Sequence, residues 1–378
     1  MLGAVLRPSL CVGFARCLRL VPRIICARPQ HTSSGQGSQK QPLKQWALSV
    51  SPYTSIKAVL SSCSFSVTPL DPHAFPEADR AFITVYGVSE GQKTALDHCH
   101  VHCHVHYDEE RRELHITDEK GNCQFSIDLE APIKSNLFIT TEGKGHVDIS
   151  KMECDICKVS TQEGNCTLHS IKGHQVEVRS SGGCVTGLGT IHGNVDIVSS
   201  GESAVNVKKL QGTTMNVSTE HGSLKVKAIY ANSSSISSHT GKVKLGHVHG
   251  NATVKNGSGD TVIDGSNSFM QVSSHSGDID LYVGDGGSAD VCSVQGAVCV
   301  RVPSSLKAGV ELCGASVNIS PEVVIHEARK HQAPGQTTVM GFVNGESQMD
   351  QPYLKARTKT GSVTLKTQSW FESLKLRS

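Results

Sequence analysis

Aromatic side chains make up only 4% of this 378-residue chain, which excludes a wide core built around Phe and Trp and leaves a narrow interior filled by smaller residues. Long apolar runs are also missing. No stretch of 18 consecutive apolar residues occurs, so no membrane-spanning helix is expected. No Walker A loop, nucleophile elbow or zincin motif is present, and Leu188-Gly-Thr-Ile-His-Gly193 lacks the helix pattern that would follow a nucleotide fingerprint. Acid is absent from the start of the chain, where the first such residue is Asp71. With 36 basic and 34 acidic residues the chain is close to neutral, which argues against nucleic acid or an anionic membrane surface as its main partner.

What the chain does have is a glycine followed by two apolar residues spaced two apart, as in Gly145-His-Val-Asp-Ile149, Gly193-Asn-Val-Asp-Ile197, Gly241-Lys-Val-Lys-Leu245 and Gly296-Ala-Val-Cys-Val300. The glycines recur with a period just under twenty: 19 from Gly145 to Gly164, 20 from Gly173 to Gly193, and 18 from Gly259 to Gly277. Alternating apolar and polar residues are the mark of a strand with one buried face, and glycine suits a corner that needs positive φ. Strand, corner, strand, corner makes one rung, and a rung this short buries its apolar face only by stacking on its neighbours. The expected fold is therefore all-β: a single-stranded β-helix, or solenoid, with about 18–20 residues and two strands per rung. Its inward positions include Val147, Ile149, Val195, Ile197, Leu224, Val226, Val243, Leu245, Val262, Ile279, Leu281, Val298, Val300, Val317 and Ile319.

Two further segments carry a resemblance. Ile127-Asp-Leu-Glu-Ala-Pro132 leads into Leu137-Phe-Ile139 and the Gly145 rung, while Val298-Cys-Val-Arg-Val-Pro303 leads into Val310-Glu-Leu312 and Gly314-Ala-Ser-Val-Asn-Ile319. Over roughly residues 125 to 368 the chain resembles the adhesin-type β-strand-repeat family, and as a whole it looks like a vertebrate "family with sequence similarity" protein. The resemblance implies a β-solenoid and brings no catalytic residues with it.

Arg7, Arg16, Arg19, Arg23 and Arg28 fall in the acid-free start, three of them at helical spacing with Leu18, Ile24 and Ile25 between them. Such a segment reads as a mitochondrial transit peptide and places the protein in the mitochondrion, in the matrix. A secretory signal is the competing reading, although Arg7, Pro8 and Arg16 would break its apolar core. Six Asn-x-Ser/Thr sequons, at Asn165, Asn216, Asn232, Asn251, Asn256 and Asn318, matter only in a secreted chain and otherwise read as corner residues.

The chain holds 14 cysteines, which read mainly as small apolar fillers, with Cys166 and Cys184 one rung apart as the pair closest to disulfide range. Cys154-Asp-Ile-Cys157 has CxxC spacing, but on a straight strand its two thiols would point to opposite faces. In His98-Cys-His-Val-His-Cys-His-Val-His106 the residues His98, His100, His102, His104 and His106 would all project from one strand face, a candidate zinc or copper site. The plainer reading is a solvated histidine face with Cys and Val buried behind it. Asp260, Asp264, Asp278, Asp280, Asp285 and Asp290 form an acid-rich zone, expected as outward positions and corner caps.

The organisation expected is a presequence and linker over 1–45, an irregular β region with the His-rich strand over 46–125, and the solenoid over 126–320. A loop or short helix, beginning at 322–330, fills 321–351, and 352–378 forms a final rung and cap with Trp370 and Phe371. The function expected is a non-catalytic mitochondrial scaffold presenting a flat polar β-surface to a protein partner, without a cofactor. The alternatives are a carbohydrate-acting or metal-dependent enzyme on the same frame and a secreted adhesin-like protein.

Overall fold

The computed structural model describes residues 42–61, 63–87, 103–119, 125–345 and 351–368. All regular elements among these residues are β-strands, 27 of them hydrogen-bonded into one continuous sheet that coils as a solenoid. No helix among the described residues is long and apolar enough to cross a membrane.

Two parallel ladders run through the coil. In the first, Val147, Cys166, Val185, Val205, Leu224, Val243, Thr261, Ile279 and Val298 occupy one column. The step is 19 residues from Val147 to Cys166, 20 from Val185 to Val205 and 18 from Val243 to Thr261. In the second, Leu137, Cys157, Val176, Val195, Met215, Ser234, Ala252, Met270 and Ala289 occupy another. In the central four rungs, β13 (Val185–Ser199), β14 (Val205–Thr219), β15 (Leu224–Thr240) and β16 (Val243–Ser258), both ladders lie on one long bent strand. Ile191, Leu210, Ile229 and Val248 add a third buried apolar column at the bend. Each of these side chains is wholly enclosed, and each contributes roughly 1.5–3 kcal/mol by burial.

The glycines of the phrase stack as well, and their reason differs from the one expected. Gly164, Gly183 and Gly222 do not have positive φ. A Cβ on Gly164 would lie 1.7 Å from the Gly145 carbonyl oxygen, and one on Gly183 would lie 1.9 Å from that of Gly164. The same clash with the rung below recurs at Gly241, Gly259, Gly277, Gly296 and Gly361. Glycine is needed here because the backbone of one rung occupies the space of the next rung's side chain; positive φ, as at Gly277, is an addition at some rungs.

A buried column of small polar residues runs beside it: Thr141, Thr161, Ser180, Ser199, Thr219, Ser238, Asn256, Ser274, Ser293 and Thr358, all at most 5% exposed. Several donate to the corner that follows, Ser180 to the Gly183 carbonyl at 2.5 Å and Ser274 to that of Ser276 at 3.2 Å. Asn256 Nδ2 bridges two rungs, donating to the carbonyls of Gly259 (2.9 Å) and Gly241 (3.2 Å) and to Thr261 Oγ1 (3.2 Å). This column is why Val262 is not an inward residue as expected. The ladder register sets Thr261 and Ile263 inside, and the Thr261 hydroxyl is accommodated by Asn256.

Both ends of the coil are closed by rungs placed out of chain order. β2 (Ser55–Leu60) and β3 (Ser64–Pro69) lie between β6 (Glu113–Asp118) with β7 (Phe125–Ala131) on one side and β8 (Asn136–Thr141) with β9 (Val147–Ser150) on the other. The stretch expected to be irregular therefore supplies a full rung. At the other end β26 (Tyr353–Thr358) and β27 (Ser362–Thr367) enter between β20 (Ser288–Gln295) with β21 (Val298–Val302) and β22 (Ala308–Gly314) with β23 (Ser316–Ile319). The last strands of the described chain are thus not the last rung of the coil. Antiparallel strands finish the second ladder: β25 (Gln336–Val343) on β22, then β24 (Ile325–Ala333) on β25. Where a loop or short helix was expected over 321–351, the chain forms strand β24, which pairs through its backbone while its own side chains are almost all exposed, and then β25. Trp370 and Phe371 lie outside the described residues.

Candidate binding surface

Outward positions of the second ladder form two straight rows. Asp196, Asn216, Ser235, Thr253, Gln271 and Asp290 make one, and Val198, Ser218, Ser237, Lys255, Ser273 and Cys292 the other. Because the rungs repeat almost without insertion, the side chains of each row, mostly short apart from Lys255 and Gln271, stand beside one another at about 4.8 Å along a flat backbone face. Ser237 donates to Ser218 at 3.0 Å across rungs. Along the rim, Ser200, Glu220, His239 and His275 join the row from Val198 to Ser273 in a polar groove of about 880 Å³. His221 packs edge-on to His239 at 5.9 Å, its Nδ1 lying 2.8 Å from the Thr240 hydroxyl. At one end the face carries charge: Glu177 accepts from Arg179 Nε at 2.7 Å and pairs with Lys158 at 3.2 Å. The Arg179 contact first, then Lys158, holds the Glu177 carboxyl below the usual glutamate range.

Five of the six acids in the acid-rich zone have structural partners, and the sixth, Asp264, borders a groove lined by lysines. Asp260 accepts from the Asp278 amide (3.4 Å) and Asp278 from the Ala297 amide (2.8 Å), so each caps the corner of the next rung, as Asn165 does for Cys184 (2.9 Å). Asp280 receives Nε of the buried Arg301 at 2.5 Å, whose Nη1 reaches Gln368 at 2.6 Å. Asp290 holds Arg357 of the inserted rung at 3.0 Å, and Asp285 accepts from Ser305 at 2.8 Å.

His98, His100 and His102 lie outside the described residues. His104 and His106 are exposed neighbours on β5 (Cys103–Asp108), with Cys103 buried behind them. His106 faces His115 across the antiparallel pair, and His104 Nε2 lies 3.3 Å from Glu119 Oε1. Among the described residues no three His, Cys, Asp or Glu side chains come together as a metal site.

The cysteines correct two expectations. Cys166 is buried whereas Cys184 is exposed, because the ladder step is 19 residues and pairs Cys166 with Val185; a spacing of 18 puts Cys184 on the other face. Cys154 and Cys157 both turn inward, since the ladder pairing skips Asp155 where the strand bends. A hydrogen bond with Cys154, followed by burial, pushes the Cys157 thiol well up, and burial pushes Cys166 up to about 12.

The serine rows, the polar column and the inserted rungs escaped the sequence reading. A signal for the column was present: a small polar residue two positions after the last inward apolar one, as in Val178-Arg-Ser180, Ile197-Val-Ser199 and Val217-Ser-Thr219.

Among solved structures the chain is similar to a candidate adhesin from Parabacteroides merdae ATCC 43184, at 9% identity and TM-score 0.37, covering 66% of this chain and 95% of that one. It is similar to a candidate lipid binding protein from Parabacteroides distasonis ATCC 8503, at 15% identity and TM-score 0.38, covering 68% and 96%. A candidate cell adhesion protein from Clostridium sporogenes ATCC 15579 matches at 10% identity and TM-score 0.17, covering 87% and 100%. These neighbours are bacterial, and they overturn the mitochondrial location, which rested on the composition of the first seventy residues alone. Residues 190–366, which carry most of the flat face and the inserted C-terminal rung, match the family model described as Toastrack DUF4097.

Proposed function

We propose that this chain is a non-catalytic, adhesin-like binding module that presents the flat outer face of its second ladder to a protein partner. The observation that carries this reading is the unbroken pair of rows from Asp196 and Val198 to Asp290 and Cys292, rich in hydroxyl and amide groups set at a fixed step. Such a face offers many hydrogen bonds from side chains that are mostly short, Lys255 and Gln271 being the long ones. Five of the six acids in the acid-rich zone are engaged in holding corners, arginines or Ser305, which favours binding over chemistry. The names of similar proteins, candidate adhesins and a candidate cell adhesion protein, point the same way.

The test is photo-crosslinking from positions 218, 237 and 273, compared with positions 186 and 206 on the outer face of the first ladder. The reading expects one partner captured from the first set only and lost when Ser237→Arg is introduced. Equal capture from both faces would overturn it.

A further inference from the structure

The chain is nearly neutral, yet the rungs do not share charge evenly. Between Ser203 and Gly259 there are seven lysines and a single acid, Glu220. Coiling brings five of the seven to one place. Lys225 and Lys244 are register partners on adjacent rungs, and Lys208 and Lys227 each follow a register pair, Val207 and Val226, so they too stand one above the other. With Lys209 they line a groove of about 560 Å³. Adjacent rungs lie about 4.8 Å apart, so these are like charges stacked directly, an arrangement that costs stability unless something negative offsets it. Among the described residues Lys208, Lys225, Lys227 and Lys244 take part in no ion pair, although acids elsewhere on the coil pair freely across rungs.

One wall of the groove is built from stacked rings. Tyr230 stacks on His249 with ring centroids 4.4 Å apart and planes within 8°, while Lys209 Nζ sits 4.9 Å from the Tyr230 ring centroid. His249 Nδ1 is in turn 2.9 Å from Asn267 Nδ2. A tyrosine already engaged by His249 and Lys209 is a poor platform for a nucleobase or a sugar, so recognition must come from charge. The charge is also bounded: it covers three successive rungs, about 10 Å, and gives way to Asp264 on one side and to the exposed Leu188 on the other. A long polyanion would run past both ends, whereas a compact one fits between them.

We propose that this groove binds a compact ligand bearing two or more phosphate groups, each bridging lysines of neighbouring rungs. The shared chemistry admits a free polyphosphorylated metabolite or a polyphosphorylated lipid headgroup. Calorimetric titration with inositol hexakisphosphate tests it, alongside sedimentation with phosphatidylcholine vesicles with and without phosphatidylinositol bisphosphate. The full chain is expected to bind the soluble probe saturably, at least about tenfold more weakly when Lys225→Gln and Lys244→Gln are combined. Lys330→Gln, on the exposed strand β24, leaves affinity unchanged. Because the two substitutions remove a like-charge contact on the surface, the melting temperature of the double variant is expected to hold or rise, which separates lost binding from lost folding. Co-sedimentation only with the bisphosphate vesicles assigns the lipid source, and binding of the soluble probe alone assigns the free one. Equal affinity for wild type and double variant, an equal loss with Lys330→Gln, or no saturable binding of either probe would overturn the proposal.

Discussion

At the residue scale, stacking decides what each position tolerates. Gly183 has ordinary φ, so a reading from backbone conformation alone would allow alanine there; the contact with the Gly164 carbonyl does not. Gly183→Ala is expected to destabilise the protein by about 3 kcal/mol, at the severe end for a single methyl group, because a rung cannot shift without disturbing the pairs above and below it. Urea unfolding measures this, and a loss within about 0.5 kcal/mol would show that the corner yields easily. The glycines themselves were plain in the sequence. Their interrung reason was not, since sequence alone does not show which carbonyl lies opposite.

At the element scale, ion pairs link strands of successive rungs. Glu177 on β12 (Ile171–Ser180) contacts Arg179 on its own strand and Lys158 on β10 (Glu153–Thr161). With its folded carboxyl held low, its stabilising effect is fully present above the unfolded glutamate range, near ~4.3, and is lost as pH falls through the lower folded value. Melting temperatures followed from pH 7 down to pH 3 should fall less steeply for Glu177→Gln than for wild type; parallel curves would remove Glu177 from the acid response. The strands were legible from alternation of apolar and polar residues, and the register was legible wherever Val or Ile marked both inward positions. It failed at Val262, where a buried Thr261 held by Asn256 took the place an apolar residue was expected to fill.

At the scale of the whole molecule, the inserted rungs hold the ends. β22 and β23 pair with the coil through β26 and β27, and Arg357 and Gln368 tie that insertion to Asp290 and Arg301. Truncation after Gly345 is therefore expected to abolish hydrogen-exchange protection across residues 308–343 while rungs 147–258 stay protected. Persisting protection at 308–343 would show that these strands dock without the insertion. A two-strand rung of 18–20 residues, its apolar columns and its glycine corners follow from the amino-acid pattern, because alternation and period are local properties of the chain. Which rung the chain ends join, which side a cysteine one rung away faces, and where lysines far apart in sequence gather are set by pairing between distant segments. Only the stacked structure decides them, because backbone hydrogen bonds between rungs fix register and rung order, and a sequence shows neither.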